Sequence, residues 1–141
     1  DDEQLRTIAL DIITSQQQQM GQMYGWLVQW DLPQTGSEPP MAWMDRAGHD
    51  MGSMSADAPS SGAMPGMASA AQLDELRGAE GVEAERLFLS LMIAHHTGGV
   101  DMAEAAARSA GTPEVRGLAR TIAKAQTAEI ALLEDLLAAR G

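Results

Sequence analysis

The sequence predicts an all-α protein, a bundle of antiparallel hairpin helices. Three observations lead there. Apolar residues recur at alternating steps of three and four along three long stretches, which is the period of one helix face. Aromatic residues make up only 4% of the chain, while Ala, Leu, Gln and Glu, all good helix formers, are abundant. The last two stretches are separated only by Gly111-Thr112 ahead of Pro113, too short a break for anything but an antiparallel turn-back.

The first helix is expected over residues 2 to about 30. Leu5, Ile8, Ile12, Ser15, Gln19, Gln22 and Trp26 define its stripe, apolar at the start and polar toward the middle. Asp1, Asp2 and Glu3 place negative charge at the helix start, where the macrodipole favours it. Pro33 closes the segment, because the residue before proline avoids helical geometry. Residues 32–68 then change character, with prolines, glycines, Ser and Asp spaced throughout, and read as a long loop. Such a loop in a small domain is uncommon and is usually functional or disordered.

Residues 69–78 read as a short helix with Ser69 and Gln72 as a capping box. A long helix is expected over 82–110, with Gly111 as its C-terminal cap. The last helix, from Pro113 to about Ala139, takes Thr112 as N-cap and Pro113 at its first position. Its apolar seam reads Val115, Leu118, Ile122, Ala125, Glu129, Leu132 and Leu136. The chain thus divides into 1–31, 32–68 and 69–141, within one domain overall.

The chain has 141 residues and a formal net charge of −11, so its surface repels nucleic acid and anionic lipid. It has no cysteine, which excludes disulfides and thiolate metal sites. No apolar run approaches the ~20 residues needed to span a bilayer. Asp1 in place of an initiator Met fits a processed, exported product.

The chemistry concentrates in two places. His95 and His96 stand side by side in the long helix, with Met92 three and four residues before them and Met102 beyond. A core-facing stripe of Phe88, Met92, His95 and Met102 follows, and imidazole with thioether makes a soft or borderline metal site. The bland alternative is a satisfied core histidine with methionine filling gaps. Gly98-Gly99 comes next; two glycines in a helix interior imply that a neighbouring helix or a ligand shell packs very close.

The second place is the loop, which holds six of the ten methionines as the pairs Met41/Met44, Met51/Met54 and Met64/Met67. His49 lies two residues before Met51. Thioethers suit Cu(I) and imidazole suits copper, although the same methionines could be adaptable anchors that pack the loop on the helices. Glu129 interrupts the apolar seam of the last helix at about the height of His95 across the turn. It is expected to meet His95, His96 or a metal bound to them, orienting an imidazole through its ring N–H, or else to form a simple structural Glu–His pair.

The last helix, shifted back by 110 residues, lies on the first. Arg6, Ala9, Ile12 and Gln16 fall on Arg116, Ala119, Ile122 and Gln126, and Gln19 stands where Glu129 stands. The second repeat is a helix hairpin; the first begins with its second helix. The first helix of repeat one is therefore expected to be absent, either removed or lost in departure from a two-hairpin ancestor; if removed, an exposed groove is expected, with a homodimer as one way to fill it.

Met92-Ile93-Ala94-His95-His96 with Met102-Ala103, extended by Pro113-Glu114-Val115-Arg116, Gln126 and Glu129-Ile130, resembles the ferritin-like family known as domain of unknown function 305 (DUF305). The resemblance covers nearly the whole chain. It implies an exported or periplasmic four-helix fold in tandem hairpins, and copper binding of the kind attributed to CopM-type members. The implied metal ligands are Met92, His95, His96 and Met102, with His49, Met41, Met44, Met51 and Met54 as further candidates. Glu129 and Gln126 are expected to support them from behind. Gly99 departs from the family's usual Ala.

The leading expectation is therefore an exported copper-binding protein that buffers, sequesters or carries Cu(I) or Cu(II). The alternative is a structural or partner-binding helical domain without metal, to which the repeat and the Trp26/Trp30 pair point. A di-iron carboxylate site needs Glu three residues before His, where Met92 and Ile93 stand instead. No nucleophile triad or phosphate loop stands out, so no enzymatic activity is expected.

Overall fold

The computed structural model describes residues 2–38, 41–46 and 64–141. All regular structure among them is helical, in five helices: α1 Glu3–Gln29, α2 Ala42–Arg46, α3 Ala70–Gly78, α4 Gly81–Ser109 and α5 Pro113–Ala138. The chain forms two compact units, Asp1–Pro39 and Pro40–Gly141. No described helix is long and apolar enough to cross a membrane.

The first unit is α1 and the segment after it. Asp2 is its N-cap, its Oδ1 accepting from the Leu5 N–H at 2.9 Å. The helix ends at Trp30 and Asp31, the latter at φ 53°, before Pro33. Trp26 and Trp30, one turn apart, stack with ring centroids 5.9 Å apart. Leu5 and Ile12 are its buried side chains, while Leu10, Ile13, Met20 and Tyr24 are exposed.

The second unit is organised by the α4–α5 hairpin. Leu89, His96 and Ala103 are buried on α4, and Ala119, Gln126, Leu133 and Leu136 on α5. This corrects the expected α4 seam by one step, and the α5 seam likewise except at Leu136, which is buried as expected. On α4 the core face runs through His96, and His95 is only half-buried. On α5, Ala119, Gln126 and Leu133 replace Leu118, Ala125 and Leu132 as the most buried positions, and Leu132 is exposed. Two neighbouring stripes of an Ala-rich helix satisfy the same three–four spacing.

The turn between the helices also differs from expectation. α4 is capped by Ala110 in extended geometry, and Gly111 does not adopt the left-handed conformation. The Ala110 carbonyl instead accepts from Arg116 Nη1 at 2.7 Å. Thr112 has N-cap backbone geometry but makes no side-chain cap bond, and its buried Oγ1 has no partner. At the open end of the hairpin, Arg140 Nε donates to Glu85 Oε2 at 2.6 Å and Arg140 Nη1 to the Leu136 carbonyl at 2.9 Å. Arg86 Nη1 reaches the Arg140 carbonyl at 3.3 Å. α3 carries the reciprocal capping box of Ser69 and Gln72.

Candidate functional site

The site grows out of the middle of α4. His96 is fully buried, so both of its ring nitrogens need partners. Nδ1 lies 3.0 Å from the Met92 carbonyl oxygen, one turn back on the same helix. A carbonyl only accepts, so Nδ1 carries hydrogen and donates. Nε2 lies 2.7 Å from Glu129 Oε2 on α5. With Nδ1 protonated, one more proton is shared between ring and carboxyl. The bridge is neutral as a whole and charge-assisted in character. Glu129 thus reaches His96 across the hairpin, and both nitrogens of His96 are engaged by protein.

His95 is in the opposite condition. Its ring sits 5.8 Å from that of His96, edge-on at 61°. Its Nδ1 is buried and has no hydrogen-bond partner. Desolvation, and secondarily the neighbouring His96, push its pKa below the ordinary histidine value of 6.5. The ring is therefore neutral at neutral pH and carries a lone pair. Met92, three residues back, occupies the same face of the helix.

The Gly98-Gly99 pair of α4 is explained by protein contacts rather than by a ligand shell. A Cβ on Gly98 would lie 2.2 Å from the Pro65 carbonyl oxygen, and one on Gly99 would lie 2.2 Å from Gln126 Oε1. Gly98 therefore admits the end of the long loop, and Gly99 admits the buried amide of Gln126, whose Oε1 has no hydrogen-bond partner. Gln126 faces the Gly99 backbone, and the bond that orients an imidazole comes from Glu129.

The loop methionines separate into classes. Met44 is fully buried and Met41 nearly so; with Ala105 they form an apolar cluster on which Trp43 and Met102 pack. The expected loop is thus interrupted by α2, and its first methionine pair, with Met102, does the packing work of a core. Met64 and Met67 are exposed. His49, Met51 and Met54 lie outside the described residues. Among the described residues, no group of three or more His, Cys, Asp and Glu side chains is placed to hold a metal ion. The contact of Pro65 and Gly66 with α4 escaped sequence reading because it is visible only in three dimensions. Its one sequence signal was the Gly98-Gly99 pair.

The fold and this arrangement define an all-α protein built on a long helical hairpin with a buried His–Glu bridge at mid-height. The chain belongs to the family described as domain of unknown function (DUF305), whose sequence profile matches residues 1–137. It is similar to the crystal structure of a DUF305 protein from Streptomyces coelicolor, described as an assumed secreted protein. The two share 41% identity over 100% of this chain and 77% of that one, with a TM-score of 0.84. It is also similar to a DUF305 fragment from Deinococcus radiodurans, at 34% identity over 98% of this chain and 78% of that one, with a TM-score of 0.70. No curated protein matches the chain.

Proposed function

We propose that this is an exported, non-catalytic copper-binding protein that buffers, sequesters or carries the ion through His and Met ligands. The observation that carries the reading is the buried, unpartnered Nδ1 of His95 on the helix face it shares with Met92. A buried nitrogen without a partner needs an explanation, and a metal ion supplies one. Imidazole with thioether suits copper, and the CopM-type resemblance points the same way. His95 and Met92 would hold the ion, which would be stored or passed on rather than used for chemistry. Export is supported by the description of the Streptomyces relative.

The test is an anaerobic Cu(I) titration of the purified protein against a coloured chelator, with His95→Gln in parallel. The wild type is expected to compete and His95→Gln to lose most of that competition. A wild type that takes no Cu(I) from the chelator refutes the reading.

The second reading is a structural or partner-binding helical domain. The saturated nitrogens of His96 and the burial of Met41 and Met44 favour it. Exposed apolar residues on α1 support a homodimer as one form of such binding. Sedimentation velocity over a concentration series tests this, and a monomer throughout excludes it.

A further inference from the structure

We propose that α1 is a self-association surface, its open apolar stripe pairing antiparallel with the same stripe of a second copy of the chain. The inference rests on the second reading above, the partner-binding domain, and gives it a partner, a surface and a register.

Leu10, Ile13, Gln17, Met20, Tyr24 and Val28 follow one another at steps of three and four, so they share one face of α1. It is not the face that α1 buries, which carries Leu5 and Ile12. The five apolar members are between 49% and 62% exposed. Exposed apolar residues scattered singly are ordinary, but five in one continuous stripe mark an interaction surface. Gly21 and Gly25 border the stripe, and nothing lies within 4 Å of a Cβ built on either. Each weakens a helix interior relative to alanine, and no contact within the chain accounts for it. A helix pressed against the stripe would use that space.

The internal repeat supplies a control. Shifted by 110 residues, the same stripe on α5 reads Arg120, Ala123, Thr127, Ile130, Glu134 and Ala138. The core face of α5 is a different one, that of Ala119, Gln126 and Leu133. A helix that pairs as α5 does with α4 therefore needs no apolar residues on this stripe. On α1 they serve a further contact.

Charge selects the occupant. The chain carries −11 overall, yet residues 12–30 contain no Asp, Glu, Lys or Arg. Two copies of so acidic a chain repel wherever charged faces meet, and along this stretch they can approach without repulsion. The stripe is also self-complementary. Turned end for end about a point between Gln18 and Gln19, Leu10 meets the turn of Leu27 and Val28, Ile13 meets Tyr24, and Gln17 meets Met20. Each pair recurs by the two-fold symmetry. Gln17, the one polar member, falls beside the axis, where a single polar position fixes register. Antiparallel pairing also keeps the acidic helix starts at Asp2 and Glu3 at opposite ends, whereas parallel pairing would bring them together.

The test is sedimentation velocity of the whole chain over a concentration series. The wild type is expected to dimerise. Ile13→Glu/Met20→Glu changes two exposed positions, so the fold is expected to survive. It should weaken dimerisation at least about a hundredfold, because like charges then face each other across the pair. Thr121→Glu/Thr127→Glu adds the same charge at exposed positions of α5 and is expected to dimerise as the wild type does. Register is read separately with nitroxide labels on Gln18→Cys and on Thr7→Cys, in a chain that has no other cysteine. An antiparallel pair holds the Gln18 labels side by side and the Thr7 labels roughly 35 Å apart along the axis. Thr7 labels as close as the Gln18 labels mean a parallel pair and overturn the arrangement. A dimer that the α1 variant retains undiminished, or that both glutamate variants lose equally, overturns this inference and leaves the homodimer to another surface. A wild type that stays monomeric throughout overturns both.

Discussion

Replacing Gly98 by Ala sets two known effects against each other, and the structure decides between them. In an exposed helix interior the exchange stabilises by about 0.8–1 kcal/mol. At Gly98 the new Cβ would meet the Pro65 carbonyl oxygen at 2.2 Å and its carbon at 2.6 Å. Backbone cannot rotate away as a side-chain end can. The Pro65–Gly66 turn must lift by roughly 1 Å, from 2.2 Å to the 3.4 Å at which ordinary contact begins. Overpacking of this kind costs about 1–3 kcal/mol. The net result should lie between near-neutral and about 2 kcal/mol destabilising. Gly117, on α5, is the internal control: nothing lies within 4 Å of its would-be Cβ. Gly117→Ala should show the undiluted gain of about 0.8–1 kcal/mol. The assay is urea unfolding of both variants beside the wild type, read as midpoints at constant slope. If Gly98→Ala stabilises as much as Gly117→Ala, within about 0.5 kcal/mol, the turn is not seated on α4 and the reasoning fails.

Three further outcomes are expected. Glu129→Ala strands the buried Nε2 of His96 and should cost about 1–3 kcal/mol in urea unfolding, whereas Glu129→Gln, whose amide N–H can donate to that nitrogen, should cost less. Met44→Ala empties a fully buried position and should cost about 2–5 kcal/mol, while Met44→Leu should cost under about 1.5 kcal/mol. The metal-free protein should lose stability as pH falls below the unfolded histidine value of 6.5 and on through the lower folded value of His95. In that window the unfolded chain binds the proton that the folded chain resists, and at higher pH the contribution is flat. His95→Gln should remove that part of the pH dependence, and thermal melts at stepped pH measure it; an unchanged profile would show that His95 is not the group responsible.

The sequence carried the helices because periodicity, capping residues and breakers act over one or two turns of chain. Asp2, the Ser69–Gln72 box and Pro113 stand where local chemistry required them. The hairpin followed from the brevity of the Gly111–Thr112 break, and the height of Glu129 opposite the histidines from equal distances to that break. The signature around His95 and His96 was enough to indicate the family. Several things were not legible. Periodicity could not say whether His95 or His96 faces α5, since α4 is apolar on more than one face. It could not separate Met41 and Met44, which complete a core, from Met64 and Met67, which remain exposed. It could not say that Gly98 and Gly99 accommodate a turn and an amide. These are contacts between residues far apart in the chain, and their outcome depends on the space left when two helices and a loop close on one another. Local chemistry therefore determined which helices form and where they stop, while close packing at Gly98, Gly99 and His96, which only the assembled fold creates, decided which imidazole is tied to Glu129 and which is left with a free nitrogen.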